Sequence, residues 1–381
     1  MYKVAVADLQ VGMTLGKSVL APDGVVLLRA GVPLRPAYIA QLQRLGVPAV
    51  YVANPLAPDV EPPEVVGDRT RAQLGAGLRE ITVQVRQSLE QKGRREQRRW
   101  AFNGKAIKDG IDAVLDEVLS NPHALVHLRD IRSADDYTLG HSVNVCILAA
   151  LLGVSQGLTL PNLRELILGA MLHDVGKACV PVEILQKEGQ LTELEMLEMR
   201  QHTTRGFEVL RRNPEINLLV AHVAYQHHER WGGGGYPRGL RGNDILQYAR
   251  IVTVCDVYDA LVSDRVYRRG LPPRRALNIM LEGSPGYFEP GLAQAFASHI
   301  AVYPVGSIVR LSDGCTGVVV EVRHGLVERP VVRVVRAPDG SVLEWPHSVD
   351  LASAPRLTVE EMLVEEPLLL APAEEVADIS L

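Results

Sequence analysis

The central part of the chain repeats apolar residues at helical spacing and contains few stretches that alternate as strands do. Ile107, Ile111, Val114 and Leu115 stand at positions i, i+4, i+7 and i+8 and define one apolar face. Similar patterns continue to about residue 301. We therefore predict that residues 69–302 form a helical bundle with a shared core.

Both ends of the chain have a strand-like pattern instead. Residues 1–54 alternate short apolar runs with turn signals such as Asp23-Gly24, and they contain one short helical stretch. Residues 303–355 contain short apolar runs separated by Asp-Gly and His-Gly pairs, which is typical of a small barrel of hairpins. The predicted fold is mainly α, with a small α+β N-terminal module and a small β-barrel-like C-terminal module.

Polar segments connect or follow these parts. Residues 55–68 contain four prolines, which favours a stiff linker rather than core. From residue 69 to about 100 the chain is rich in Arg, Gln and Glu, and we predict a solvated connecting helix there. Residues 356–381 are acidic and punctuated by proline, which indicates a loosely held tail.

Composition and charge restrict the function further. Apolar residues make up 47% of the chain and the net charge is −5, so no bulk positive field attracts nucleic-acid polymers or anionic membranes. The longest apolar run, 145–154, is too short to span a bilayer. The N-terminus lacks the apolar core of a signal peptide, and the four cysteines lack paired spacing. We expect a cytoplasmic protein without membrane contact.

Candidate chemistry lies on the apolar faces of the helical segment. His173 and Asp174 follow Leu166 and Ile167 by seven residues each, so both side chains are predicted to point into the interior. A buried His–Asp pair is costly unless its desolvation is compensated. A divalent metal ion provides this compensation, since imidazole and carboxylate are its usual ligands.

Further polar residues interrupt the other predicted helices. His141, His202, His227, His228 and Asp256 are predicted to face inward, and ligands from separate helices can converge in a bundle core. A single histidine on an apolar face is more often a satisfied core residue. We assign that role to His123, His127, His222, His299, His324 and His347.

Five motifs between about residues 135 and 290 resemble the HD-GYP family, a branch of the HD phosphohydrolases. The residues that give the branch its name stand here as Gly235, Tyr236 and Pro237. The motifs are DDYTLGHSVNV (135–145), HDVGKACVPVEILQKEGQLTELE (173–195), HTTRGFEVL (202–210), HHERWGGGGYPRGLRG (227–242) and ARIVTVCDVYDALVSDRVYR (249–268).

The resemblance implies a site for two divalent metals, Fe or Mn, with Zn, Co and Ni as alternatives. The matching ligands are His141, His173, Asp174 and Asp256 for one ion and His202, His227 and His228 for the other, with Asp174 bridging. Lys177, Arg265 and Arg268 match residues that contact the substrate phosphates. Tyr137 stands where some members carry a glutamate for a third metal, which favours two metals here.

The activity that the resemblance implies is hydrolysis of cyclic di-GMP to pGpG or GMP in bacterial second-messenger signalling. Water activated between two metals would attack phosphorus, while basic side chains neutralise the phosphate charge. Besides Asp174 and Lys177, we consider Asp259 a catalytic candidate, either as an acid for the leaving oxygen or as a carboxylate that orients a ligand. Gly235, Tyr236 and Pro237 are expected to contact the substrate or a protein partner.

Three alternatives stay open: an HD phosphohydrolase for another nucleotide, an inactive cyclic di-GMP sensor or partner-binding protein, and a di-iron oxygenase. The GYP segment argues against the first, the full ligand set against the second, and the basic residues against the third. Residues 1–54 and 303–314 resemble modules that flank HD-GYP domains. The N-terminal module is a second candidate contact for partners, and a homodimer is an open alternative.

Overall fold

The computed structural model describes residues 1–20, 26–47, 49–54, 57–90, 104–121, 123–126, 137–187, 189–263, 270–284 and 286–363. The helices are α1 (Pro36–Arg44), α2 (Asp68–Glu90), α3 (Gly104–Ser120), α4 (Tyr137–Ser155), α5 (Leu160–Leu172), α6 (Val182–Leu185), α7 (Glu193–Leu210), α8 (Leu218–Gln226), α9 (Gln247–Val262), α10 (Pro273–Gly283) and α11 (Pro290–Ala297). The strands are β1 (Tyr2–Ala5), β2 (Val19–Leu20), β3 (Val26–Leu28), β4 (Ala49–Val52), β5 (Ile308–Leu311), β6 (Thr316–Glu321), β7 (Val331–Arg336), β8 (Val342–Asp350) and β9 (Val359–Met362).

The predicted fold class is confirmed: a helical domain carries an α+β region at its N-terminus and an antiparallel sheet at its C-terminus. In the N-terminal region β1 pairs antiparallel with β4, and β2 pairs with β3. Leu15, Leu34, Leu42 and Val50 form a small core of their own there. This region therefore has its own hydrophobic centre beside that of the helices.

Two helices in the middle of the helical domain are buried on all sides. In α4 the apolar run that begins at Val145 packs against α5 and α9. In α9 every residue from Ile251 to Val262 is buried, including two aspartates. A helix without a polar face belongs inside a domain. Polar side chains on α4 and α9 are therefore held deep in the core, where solvent cannot compensate their charge.

The helix predicted after residue 69 is present as α2, but the expectation that it is solvated was wrong for residues 69–90, and residues 91–100 lie outside the described part of the chain. Leu74, Leu78, Ile81 and Val85 on α2 are all buried, and α2 packs against α3 and α4. Their spacing of four, three and four residues is an apolar stripe. The polar residues between these apolar positions give the segment the composition of a solvated helix, and this concealed the apolar stripe.

The proline-rich segment after the N-terminal region is also packed rather than a free linker. Ala57, Val60 and Val66 are buried in the main core, and Asp59 accepts two hydrogen bonds from Arg333, at 2.7 and 2.9 Å. Proline fixes an extended backbone without excluding burial of the residues between. Composition alone therefore gave the wrong environment for these side chains.

The C-terminal module is a five-stranded antiparallel sheet with the strand order β8-β7-β6-β5-β9. Val309, Leu311 and Val318 join the core of the helical domain. The last strand pairs with β5, opposite Val309 and Leu311. Because β9 spans Val359–Met362, the sheet extends beyond the boundary at residue 355 and into the segment that we predicted to be a tail.

None of the helices in the described part of the chain combines the length and the apolarity that crossing a membrane requires.

Candidate metal centre

Buried histidine and aspartate side chains converge between the helices of the central domain. They come from α4, from the C-terminal ends of α5 and α8, from α7 and from α9: His141, His173, Asp174, His202, His227, His228 and Asp256. Overlapping subsets of these side chains place their ligand atoms within 4.8 Å of one another. The structure thus brings all seven predicted ligands together, and their function as ligands stays a prediction.

One group of ligand atoms surrounds the Oδ2 side of Asp174. His141 Nε2 lies 2.9 Å from Asp256 Oδ1 and 3.9 Å from Asp174 Oδ2. His173 Nε2 lies 3.4 Å from the same Asp174 oxygen and 4.0 Å from Asp256 Oδ1. These four side chains surround a space in which two carboxylates and two imidazoles face one another.

A second group lies on the other oxygen of the same carboxylate. His202 Nε2 lies 3.5 Å and His227 Nε2 3.8 Å from Asp174 Oδ1, and the two nitrogens are 3.3 Å apart. The ring of His228 stands edge-on to that of His202, with centroids 5.0 Å apart. Asp174 therefore presents one oxygen to each group, as a carboxylate that bridges two ions must.

Three buried atoms in this centre have no hydrogen-bond partner within the described part of the chain: His173 Nε2, Asp174 Oδ1 and His228 Nε2. An unpaired buried polar atom costs roughly 1–3 kcal/mol. Bound divalent ions would satisfy these atoms, and nitrogen and oxygen donors are their ordinary ligands. The side chains present therefore fit a pair of divalent metal ions.

Backbone carbonyls fix the orientation of three of the imidazoles. His173 donates from Nδ1 to the carbonyl oxygen of Ala170 at 2.6 Å, and His202 donates in the same way to that of Met199 at 2.7 Å. His227 Nδ1 donates to the carbonyl oxygen of Ala224 at 3.0 Å. Each bond leaves the Nε2 lone pair directed into the centre, the tautomer that a metal ligand needs.

The electrostatics of the centre favour bound cations. Burial lowers the pKa of His202 to about 4 and that of His227 to about 3, so both imidazoles are neutral at pH 7, as ligands must be. Burial also lowers the pKa of His141, but its hydrogen bonds with Asp256 and Asp259 outweigh burial and raise the pKa to about 10. These carboxylates therefore attract positive charge to this position.

The pKa of Asp174 is kept low by its neighbours. Burial alone would raise it, but the Lys177 ammonium and the surrounding histidines hold it well below the usual range. Lys177 Nζ lies 2.6 Å from Asp174 Oδ2, and its side chain keeps 29% of its surface exposed. Lys177 is thus at the edge of the centre, next to the solvent.

Asp259 lies behind His141. Its Oδ2 accepts a hydrogen bond from His141 Nδ1 at 2.8 Å and one from Ser263 Oγ at 3.2 Å, while Oδ1 accepts one from Asn144 Nδ2 at 2.7 Å. Of the two roles considered for Asp259, these contacts match a carboxylate that orients a ligand.

Asn144 is a residue that the sequence analysis missed. It connects Asp259 to α2, because its Oδ1 accepts a hydrogen bond from Arg71 Nη1 at 2.9 Å. The available signal was a polar residue three positions after His141 in an otherwise apolar helix.

The Gly-Tyr-Pro segment lies directly against the centre. The ring of Tyr236 stacks on that of His228, with centroids 4.6 Å apart and an angle of 24°. A Cβ on Gly235 would lie 2.5 Å from the carbonyl oxygen of His228, so only glycine fits. At Gly235 the close approach is thus to the chain's own backbone.

Glu229 is a second residue whose role the sequence analysis missed. It is almost fully buried and accepts hydrogen bonds from the backbone N–H groups of Arg238 and Leu240, at 2.7 and 2.9 Å. Its carboxylate therefore fixes the loop that holds Tyr236 in place. The signal in the sequence was a charged residue directly after His228, at the end of an apolar helix.

Other predicted site residues lie outside the described part of the chain. Arg265 and Arg268 belong to the segment 264–269, which the structure does not describe. The side chain of Tyr137 is likewise outside the described part of the chain. Their predicted contacts with phosphate, and the argument for two rather than three metals, stay predictions.

Comparison with known proteins agrees with this geometry. Residues 121–292 match the family model of the HD domain, and residues 308–369 match that of a KOW domain associated with the HD domain. Residues 121–292 are therefore similar to the HD domain, the class of domain that the helical fold and the buried His–Asp centre match. The motifs of this segment are those of the HD-GYP type.

Among curated proteins, cyclic di-GMP phosphodiesterase PA4108 of Pseudomonas aeruginosa is 39% identical over 254 residues, 67% of this chain and 61% of that protein. A cyclic di-GMP phosphodiesterase of Thermotoga maritima is 38% identical over 181 residues, 47% of this chain and 48% of that protein. The 3'3'-cGAMP-specific phosphodiesterase 3 of Vibrio cholerae is 34% identical over 168 residues, 44% of this chain and 36% of that protein. The chain thus spans less than two thirds of each relative.

Proposed function

We propose that this protein is a metal-dependent phosphodiesterase that hydrolyses cyclic di-GMP. The observation that carries the proposal is the position of Asp174, whose two oxygens face two separate groups of buried ligand atoms. A carboxylate in that position is suited to hold two ions side by side, as two-metal phosphodiester hydrolysis requires.

Two divalent ions are the cofactors in this proposal. The nitrogen and oxygen ligands suit Fe or Mn, with Zn, Co and Ni as alternatives. One ion would be held by His141, His173, Asp174 and Asp256, and the other by Asp174, His202, His227 and His228. When bound, such ions polarise phosphate oxygens and lower the pKa of water towards neutrality.

The chain's own residues supply orientation and charge. Lys177, partly exposed beside Asp174, is placed to neutralise a non-bridging phosphate oxygen. Tyr236 stacks on the ring of His228, and the guanidinium of Arg200 lies 5.1 Å from its ring centroid. The Tyr236 ring, held by these two neighbours, is suited to position one side of the substrate. In the proposal, Arg265 and Arg268 contact the other phosphate.

The choice of cyclic di-GMP rests on the HD-GYP motifs and on the names of two relatives. A third relative is named for 3'3'-cGAMP, a cyclic dinucleotide with the same ring of two phosphodiesters. The substrate class is therefore cyclic dinucleotides, with cyclic di-GMP proposed as the preferred member. Cleavage of one ester gives pGpG, and cleavage of both gives GMP.

A substrate comparison tests this preference. Purified protein loaded with manganese is expected to convert cyclic di-GMP to pGpG or GMP at least about tenfold faster than it cleaves 3'3'-cGAMP, since loss of one recognised polar group commonly costs this much or more. The products are separated by chromatography. Faster cleavage of 3'3'-cGAMP would overturn the substrate but retain the class, whereas failure to cleave any cyclic dinucleotide would overturn both.

Replacing Asn144 with alanine is expected to weaken metal binding by about 10–100-fold. The change removes the hydrogen bond that holds Asp259 Oδ1, so that Asp259 orients His141 less firmly. Metal retained after dialysis against a graded chelator measures the effect. Asn243→Ala is the control, because the exposed Asn243 also accepts a hydrogen bond from an arginine, Arg250, without touching a ligand. Equal retention by both variants would remove Asn144 from the support of the site.

Protein partners at the Gly-Tyr-Pro segment or the N-terminal module, a homodimer and the cytoplasmic location stay predictions from the sequence.

A further inference from the structure

Three histidines outside the metal centre meet where the C-terminal sheet contacts the helical domain. His123 follows α3, His299 follows α11, and His324 lies in the connection between β6 and β7. The ring centroid of His324 is 4.9 Å from that of His123 and 5.0 Å from that of His299. We assigned all three to the class of satisfied core histidines, but His123 and His324 are exposed, and His299 is buried with an unsatisfied ring nitrogen.

His299 has a buried ring nitrogen without a partner. The residue is 3% exposed, and its Nδ1 has no hydrogen-bond partner within the described part of the chain. Its backbone is fixed, since Val126 N–H donates to the carbonyl oxygen of His299 at 2.9 Å.

The metal centre contains buried ring nitrogens of the same kind, since His173 Nε2 and His228 Nε2 also have no hydrogen-bond partner within the described part of the chain. An unpaired buried nitrogen such as His299 Nδ1 costs roughly 1–3 kcal/mol. A ligand that accepts its lone pair would recover this free energy.

The ring centroids are spaced as those of neighbouring histidines in the metal centre are. In the metal centre, neighbouring ring centroids are 4.9 Å apart for His173 and His227 and 5.3 Å apart for His141 and His173. The two distances around His324 are of the same size. Because its side chain and that of His123 are exposed, both can rotate about χ1 and χ2 to direct a nitrogen towards His299. Burial lowers the pKa of His299 and that of His324, so both are neutral at pH 7.

We propose that His123, His299 and His324 bind a divalent transition-metal ion at a site separate from the metal centre. Three imidazoles without a carboxylate favour zinc, nickel or copper over manganese. Because His324 belongs to the sheet and the other two belong to the helical domain, the ion links the two parts of the chain. Binding to the folded chain alone also stabilises the protein.

Zinc titration of the metal-free full-length protein tests the proposal. His324→Asn is expected to remove one zinc equivalent, or to weaken binding there by at least about tenfold, the lower end of what loss of a supporting contact costs at metal sites. His123→Asn, altered at another exposed position, is expected to give the same loss. His347→Asn is the matched control, because His347 is an exposed histidine on β8 outside the cluster.

Hydrolysis of cyclic di-GMP by the manganese-loaded variants is expected to equal that of the unaltered protein, which separates this site from the metal centre. Zinc is also expected to raise the unfolding temperature of the unaltered protein and of His347→Asn more than that of His324→Asn. If the His324→Asn and His347→Asn proteins bind the same number of zinc ions with the same affinities, the proposal is overturned.

Discussion

Replacing Asp174 with alanine is expected to release both metal ions and to lower kcat for cyclic di-GMP by at least about 10³-fold. Each oxygen of this carboxylate faces a different group of imidazole nitrogens, so one substitution removes a ligand from both. Loss of a single group that stabilises the transition state already costs about 10²–10³ in rate. Metal content by mass spectrometry and the rate by chromatography are measured on the same sample.

The folded structure is expected to survive this substitution, because the buried carboxylate is costly in the absence of a cation. Circular dichroism should therefore show unchanged helix content. Asp112→Ala is the control: Asp112 lies on α3 and pairs with Arg164, and about half of each side chain is exposed. Its loss should change stability by less than about 1 kcal/mol and leave the rate unaltered. Retention of metal and rate by Asp174→Ala would contradict the assignment.

Replacing Gly176 with alanine is expected to destabilise the protein by about 3 kcal/mol and to lower its metal content. A Cβ at this position would lie 1.9 Å from the carbonyl oxygen of His202 and 2.6 Å from the backbone nitrogen of Gly206. Because both are backbone atoms of α7, neither can move aside without displacing the helix, and overpacking of this kind costs about 1–3 kcal/mol or more. Displacement of α7 also moves His202 away from Asp174.

Urea unfolding and metal content of the two glycine variants measure this effect. Gly75→Ala is the control, since Gly75 lies within α2 and a Cβ there meets no atom within 4 Å. Alanine is favoured over glycine inside a helix by about 0.5–1 kcal/mol, so this variant should be slightly more stable than the unaltered protein. Unchanged stability and metal content in Gly176→Ala would refute the close packing of this turn on α7.

The sequence predicted the centre well where helical spacing determines direction. His173 and Asp174 follow apolar residues of α5 by seven positions, and both are buried as expected. The order of the motifs then supplied the remaining ligands. The resemblance also implied that Asp174 bridges the two groups. Which of its oxygens faces which group could not be predicted, because that depends on how the helices pack around the carboxylate.

The burial and the contacts of individual side chains were harder to predict than the positions of the helices. The apolar stripe of α2 was obscured by the polar residues between Leu74 and Val85, and the buried part of the proline-rich segment was obscured by its composition. Asn144 hydrogen-bonds to Asp259, which is 115 positions away in the sequence, and Glu229 hydrogen-bonds to Arg238, which is nine positions away. No local sequence pattern encodes either contact. The cluster of His123, His299 and His324 likewise depends on tertiary packing of three distant segments.

We propose that this protein hydrolyses cyclic di-GMP when metal is held around Asp174. The most direct test titrates metal-free protein with manganese and follows bound metal and turnover of cyclic di-GMP together. The number of ions at the centre is the number bound per chain by the unaltered protein minus the number bound per chain by Asp174→Ala. We predict that turnover rises with about two ions at this centre and is absent without them. Turnover by metal-free protein, or bound metal with intact cyclic di-GMP, would contradict the claim.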